Sequence, residues 1–167
     1  MSRWLQETQL GLSKKILIRA DASNTIGTGH VMRCLTLANE AKQRGWRSCI
    51  VLREPDRNMV DFIASFNHEV KELMSITQGE NKSVNSTSHC DWLSVSQAQD
   101  AQETLDVIYD FKPDWIIVDH YALDASWLAI VKQSRARILV IDDLGDRQLI
   151  CDLLLDQNLG ACARKYD

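Results

Sequence analysis

Short, almost wholly apolar runs alternate along the chain with longer stretches in which apolar residues recur every three or four positions. KILIRA (15–20), SCIVLR (48–53), Glu69–Leu73, WIIVDH (115–120), RILVIDD (137–143) and DLLLDQ (152–157) read as strands. Between them, residues 30–44 carry Val31, Cys34, Leu35, Ala38 and Ala41 on one helical face, and Gly45 ends the pattern. Residues 57–66, 94–111 and 124–135 read as three further helices, the second of them polar. Residues 75–90, rich in Ser, Asn, Thr and Gln, read as a loop with room to move. Strands without a polar face, alternating with helices, predict an α/β fold: a three-layer, doubly wound parallel sheet buried on both sides. Ligands of such sheets sit beyond the carboxyl ends of the strands. That edge is predicted to gather Asp21 to His30, Arg53, Asp119 to Tyr121, and Asp142 with Asp143.

The 167 residues suit one domain, and 45% apolar with 25% charged residues is ordinary for a globular protein. A net charge of −4 argues against general nucleic-acid binding, though not against a site for one small anion. The five cysteines are odd in number and form no C-x-x-C pair, so neither a disulfide framework nor a zinc site is expected. No run approaches the roughly 18 apolar residues that span a bilayer, and MSRWLQETQLGLSKK lacks the apolar stretch of a signal peptide. The expectation is a cytoplasmic protein without membrane or nucleic-acid partners.

The loop after the first strand carries the most chemistry. Gly27 and Gly29 permit close approach of a ligand to the backbone, and the helix start beside them offers free N–H groups to an anion. A dinucleotide fingerprint needs a third glycine where Met32 stands. His30 falls in the helix's first turn, where the positive helix end disfavours the protonated ring, so it reads as a proton acceptor for water or as a plain helix-start residue. Asp119, His120 and Tyr121 form a second cluster, and Asp142 and Asp143 a third. Divalent metal binding, orientation of a substrate, and simple capping of loops are all open for these carboxylates. Arg19, Arg33 and Arg53 are expected near the same edge, where Arg33, one turn into the helix, reads as a group to neutralise a phosphate or as a surface arginine paired with a neighbouring acid. The tryptophans read as packing residues, and His68 and His89 have no assignable role.

Three blocks, RADASNTIGTGHVMRCLTLA (19–38), IIVDHYALDASWL (116–128) and IDDLGDRQLICDLLLDQNLGA (141–161), resemble the UDP-2,4-diacetamido-2,4,6-trideoxy-β-L-altropyranose hydrolases of pseudaminic acid biosynthesis. The resemblance runs from about Lys15 to Gly160. It implies the amino-terminal half of a two-domain fold like that of the GT-B glycosyltransferases. It also implies an inverting reaction in which water displaces UDP from the anomeric carbon, with no metal or other cofactor. His30 takes the place of the family's general base and Tyr121 that of the tyrosine shaping the water and sugar site. Gly27 and Gly29 match the loop approaching the diphosphate. Arg19, Asp21, Arg33, Asp119 and His120 are the further candidate substrate-binding residues. The expected organisation is a polar lead-in (1–14), a Rossmann-like domain (15–160) and the start of a linker (161–167). The family's second, nucleotide-binding domain has no counterpart in these residues, so a separate chain is a candidate to supply it. The alternatives are a non-catalytic sugar- or partner-binding domain and half of a related glycosyltransferase.

Overall fold

A computed structural model describes residues 13–23, 25–74 and 89–166. The lead-in up to residue 12 and the loop at 75–88 lie outside the described residues. Six parallel strands form one sheet: β1 (Lys15–Ala20), β2 (Arg47–Arg53), β3 (Glu69–Leu73), β4 (Trp115–Asp119), β5 (Arg137–Ile141) and β6 (Leu153–Leu155), in the order β3-β2-β1-β4-β5-β6. Among the described residues the α-helices are α1 (Gly29–Gln43), α2 (Arg57–Ser65), α3 (Gln97–Phe111) and α4 (Ala125–Val131). The predicted α/β doubly wound sheet is therefore what the chain forms.

Alternation along each strand divides the core in two. Ile16, Ile18, Ile50 and Leu52 pack with α1 and α2 on one face, whereas Leu17, Cys49, Val51, Ile116 and Val118 pack with α3 and α4 on the other. Both sets are apolar because both faces are covered, which is why the strands lack a polar stripe. Asp56, Ser96 and Asp124 cap α2, α3 and α4 by accepting from Met59 N, Gln99 N and Ser126 N. Such caps typically contribute about 1 kcal/mol each.

Element boundaries differ from the sequence reading where polar side chains intercept the backbone. β5 stops at Ile141 because the Asp142 carboxylate accepts from Leu144 N at 3.1 Å and Gly145 N at 2.9 Å, turning the chain. Asp152 accepts from Ile138 N at 2.8 Å, so β6 begins only at Leu153. α4 ends at Val131 and tightens into a 3-10 turn, Lys132–Ser134, before Arg135 takes a left-handed conformation (φ 65°).

An apolar cleft of about 440 Å³ lies on the α1 face of the sheet, between Leu37, Ala41, Trp46, Trp115, Leu139 and Leu153. Trp46 and Trp115 stand at or next to strand starts, so this cleft lies at the end of the sheet opposite the carboxyl-terminal loops. No helix among the described residues is long and apolar enough to cross a membrane.

Residues 163–166 form a short 3-10 turn that folds back on the β5–β6 region. Tyr166 Oη donates to the Asp142 carbonyl at 2.7 Å and to Asp156 at 3.1 Å. Gly145 is what admits this turn. Its φ is +63°, and a Cβ there would lie 2.5 Å from Lys165 Cγ and 2.9 Å from the Lys165 carbonyl oxygen. A backbone oxygen cannot yield as a side chain can. Gly145→Ala is expected to cost roughly 1–3 kcal/mol through crowding and positive-φ strain. Urea unfolding of the variant checks this, and an unchanged midpoint would show that the turn does not rest on Gly145.

Candidate active site

β1, β2, β4 and β5 all deliver polar residues to the same end of the sheet, and the loops that follow are tied to one another. Asp21, just past β1, accepts from Arg53 N at the end of β2 (2.7 Å) and from the Arg19 guanidinium (2.6 and 2.9 Å). His120, just past β4, accepts at Nδ1 from Ala122 N (3.1 Å), which leaves the proton on Nε2. That nitrogen lies 3.0 Å from Asp21 Oδ2, so its N–H dipole faces the carboxylate though off the hydrogen-bonding line. The first loop and the β4 loop are thus held in fixed relation.

The glycine loop itself is a tight turn. Ser23 Oγ accepts from Thr25 N and Ile26 N, and Gly27 N donates to the Ser23 carbonyl at 2.7 Å. Gly27 has φ +76°, a conformation that a residue with a Cβ adopts only under strain. A Cβ at Gly27 or at Gly29 would meet nothing within 4 Å, so the loop presents bare backbone outward. Thr28 makes no side-chain cap on α1, whose first turn carries no acidic residue.

His30, on that first turn, is buried against β4. Its Nδ1 lies 2.6 Å from Asp119 Oδ1. Arg33, one turn on, grips the same carboxylate through Nε and Nη2, and its Nη2 also lies 3.1 Å from His30 Nδ1. The approach of Nδ1 to a carboxylate oxygen is the shorter of its two contacts and calls for a proton on Nδ1. If Nδ1 carried a lone pair, it would face a carboxylate oxygen at 2.6 Å; with a proton on Nδ1, Asp119 accepts from both the ring and Arg33. Nε2 is then the ring's proton acceptor. Burial alone would raise the Asp119 carboxyl pKa, but the hydrogen bonds from Arg33 and His30 outweigh it and hold the group below its ordinary value. Asp119 therefore stays an anion, as the pairing requires.

Tyr121 closes the site. Its ring stands edge-on to His30, centroids 4.6 Å apart, and its hydroxyl donates to Asp143. Burial, followed by that carboxylate, pushes the phenol up to about 12, so it remains a donor across the physiological range. Asp142 and Asp143 part company here: Asp142 turns its own loop, whereas Asp143 orients Tyr121. Among the described residues, no three His, Cys, Asp or Glu side chains converge as a metal-ligand set.

Several expectations change in detail. Arg19 is fully buried, its guanidinium shared between Asp21 and Asp100, so it braces the loop. Arg53 is likewise taken up by Asp100 and Glu103. Asp21, Asp119 and His120 are buried too, with their polar atoms turned to side chains and backbone of the chain itself. Arg33 keeps a partly exposed edge while holding Asp119. His89 and Trp92 were not expected at all, yet their rings lie 4.6 Å apart and adjoin Tyr121 at 5.3 and 5.6 Å. Trp92 packs against the core as read for the tryptophans while also adjoining these rings, and Trp127 is wholly buried with Nε1 donating to Asp100. His68 is tied to Ser48 and Asn39, away from the site.

No family model matches the chain. A curated relative, the UDP-2,4-diacetamido-2,4,6-trideoxy-beta-L-altropyranose hydrolase of Campylobacter jejuni subsp. jejuni serotype O:2, is 27% identical over 154 residues, 92% of this chain. The similarity noted in the three motif blocks is borne out by that alignment. The chain spans 45% of that relative's length. Among solved structures, UDP-GlcNAc 2-epimerase from Neisseria meningitidis aligns with a TM-score of 0.48 at 15% identity, over 78% of this chain and 32% of its own. The N-terminal domain of Candida albicans trehalose-6-phosphate phosphatase aligns with a TM-score of 0.48 at 14% identity, over 79% of this chain and 34% of its own.

Proposed function

We propose that this chain is the sugar-side half of a nucleotide-sugar hydrolase. Water displaces UDP from the anomeric carbon of a UDP-linked 2,4-diacetamido-2,4,6-trideoxy sugar, with inversion. The observation that carries the reading is the Asp119–His30 pair at 2.6 Å, set beside an open glycine loop. The 27% identity to a hydrolase of that substrate, over nearly the whole chain, supports the choice of reaction.

In this mechanism His30 Nε2 takes a proton from water as the water oxygen bonds to the anomeric carbon. The bond from that carbon to the UDP oxygen breaks, and the diphosphate leaves with the electron pair. Asp119 keeps Nδ1–H in place and stabilises the ring as it becomes positive. The Gly27 and Gly29 backbone, the start of α1 and the exposed edge of Arg33 face the departing charge. UDP is a good leaving group, so demand on a general acid is small. Nucleotide recognition falls to a second half, carried by further sequence or by a separate chain, because binding energy from the remote nucleotide supports reaction at the sugar.

The test is UDP release from the UDP-linked diacetamido trideoxy sugar, with the chain alone and with a nucleotide-binding half added. Release without any sugar acceptor, giving the inverted free sugar, is the expected result. Release only in the presence of an acceptor hydroxyl would make the protein a glycosyltransferase half. Sugar binding without release under either condition would make it a non-catalytic module.

A further inference from the structure

Tyr121 is the ring that stands against His30, and its hydroxyl ends on Asp143. Asp143 is itself held from the far side, by the chain after β6. Its second carboxylate oxygen, Oδ2, accepts from Asn158 Nδ2 at 3.3 Å, and its carbonyl accepts from Lys165 Nζ. Lys165 Nζ also lies 3.4 Å from the Asp156 carboxylate, and the neighbouring Tyr166 hydroxyl donates to the Asp142 carbonyl at 2.7 Å. The loop after β5 is thus stitched on one side to the site and on the other to residues 156–166. Asn158 and Lys165 are exposed and belong to neither core cluster.

An aspartate side chain turns about two bonds. With one oxygen tied to Tyr121, the carboxylate can still swing about that contact. A donor on its other oxygen and a cation on its own carbonyl remove that freedom. The same loop backs the ring a second way: the Arg147 guanidinium lies over the Tyr121 ring at 5.7 Å and pairs with Asp142 at 2.7 Å. We propose that Asn158 and Lys165 are positioning residues: by fixing Asp143 they hold the Tyr121 ring against His30. The path of the chain after β6 thereby sets the geometry at the proton acceptor. This inference rests on the hydrolase reading for its effect on turnover but not for the linkage itself.

For the test the chain is labelled with carbon-13 at tyrosine Cζ, whose resonance moves upfield when the phenol loses a hydrogen-bond acceptor. The Tyr121 signal is identified by its loss in Tyr121→Phe. Asn158→Ala and Lys165→Met are expected to move it upfield, toward its position in Asp143→Ala. Lys165→Arg, which keeps a donor for the carbonyl, is expected to leave it in place. UDP release is then measured with the nucleotide-binding half added. Asn158→Ala and Lys165→Met are each expected to lower kcat about tenfold, within the loss that a misplacement of about 1 Å brings, with KM little changed. In a Tyr121→Phe background the same changes should cost nothing further, which a merely structural role would not give. Both side chains are exposed, so the variants should keep the fold, and circular dichroism checks this. A Tyr121 signal unmoved in both variants would overturn the inference, whatever the rates do. A signal that moves with kcat unchanged, or a loss that persists in Tyr121→Phe, would overturn the positioning role while leaving hydrolysis standing. A signal that moves, without UDP release from the parent, would overturn hydrolysis while leaving the linkage standing.

Discussion

Replacing His30 with Asn is expected to lower kcat for UDP release by about 10²–10⁴-fold, the usual contribution of a positioned general base. Asn retains a side-chain N–H for Asp119 and removes the basic Nε2, so the loss falls on chemistry and KM moves little. Asp119→Asn acts on the same atom from the other side. Its amide N–H can face Nδ1, which then must accept, and the proton moves to Nε2, where it blocks the base. Comparable loss is therefore expected from that change, and the two together should cost scarcely more than either alone. Steady-state assays of the two single variants and the double variant provide the check. Undiminished turnover in His30→Asn would remove His30 from the mechanism, and strictly multiplicative losses would separate it from Asp119.

The catalytic pair was half legible in the sequence. The helix start after a glycine loop marked His30, and Asp119 lay in the first position after a run of apolar strand residues. Their contact was not legible, because 89 residues separate them and only the sheet order brings β4 beside β1. Strand and helix positions were readable for a simple reason. A strand buried on both faces must be apolar throughout, and α1 must be apolar along one stripe. The errors fall where a polar group is buried. Arg19 looked like an edge residue because arginine inside a strand is unusual; Asp21 beside it and Asp100 on α3 together explain it. Helix α3 read as polar since its inward face includes Gln97, Asp100 and Thr104. The apolar positions Ala101, Leu105, Ile108 and Phe111 do have helical spacing, and extending that stripe back one turn falls on Gln97 and Asp100. Trp92 and His89 had no such signal, being next to a stretch with no periodicity.

Asp100 is where the largest loss of stability is expected. Its carboxylate is fully buried and accepts from Arg19 Nε at 3.1 Å and Nη2 at 2.7 Å, Arg53 Nε at 2.7 Å, and Trp127 Nε1 at 2.8 Å. Arg53 Nη1 and Thr104 Oγ1 are buried nearby without a hydrogen-bond partner, so the cluster has little spare capacity. Asp100→Asn keeps the shape but sets two guanidinium groups against too little negative charge and offers one acceptor oxygen where four bonds now end. Breaking a buried pair in this way costs about 3–5 kcal/mol. Activity should fall with it, because Arg19 also fixes Asp21 and, through it, the glycine loop. The pH dependence follows from the same carboxylates. Burial tends to raise the pKa of Asp21, Asp100 and Asp119, but in each case the cationic and hydrogen-bonding partners prevail and hold it below the ordinary carboxylate range. Groups depressed on folding contribute stability that is complete above the unfolded pKa and lost as pH falls through the folded one. Urea midpoints from this cluster should therefore hold level down to about pH 5 and drop steeply on acidification below about pH 4. In Asp100→Asn the midpoint should start lower at pH 7 and fall less on the way to pH 3, since one titrating group is gone. An identical acid slope in both proteins would mean that Asp100 is not depressed by its partners, and the network would lose its claim to hold the loop.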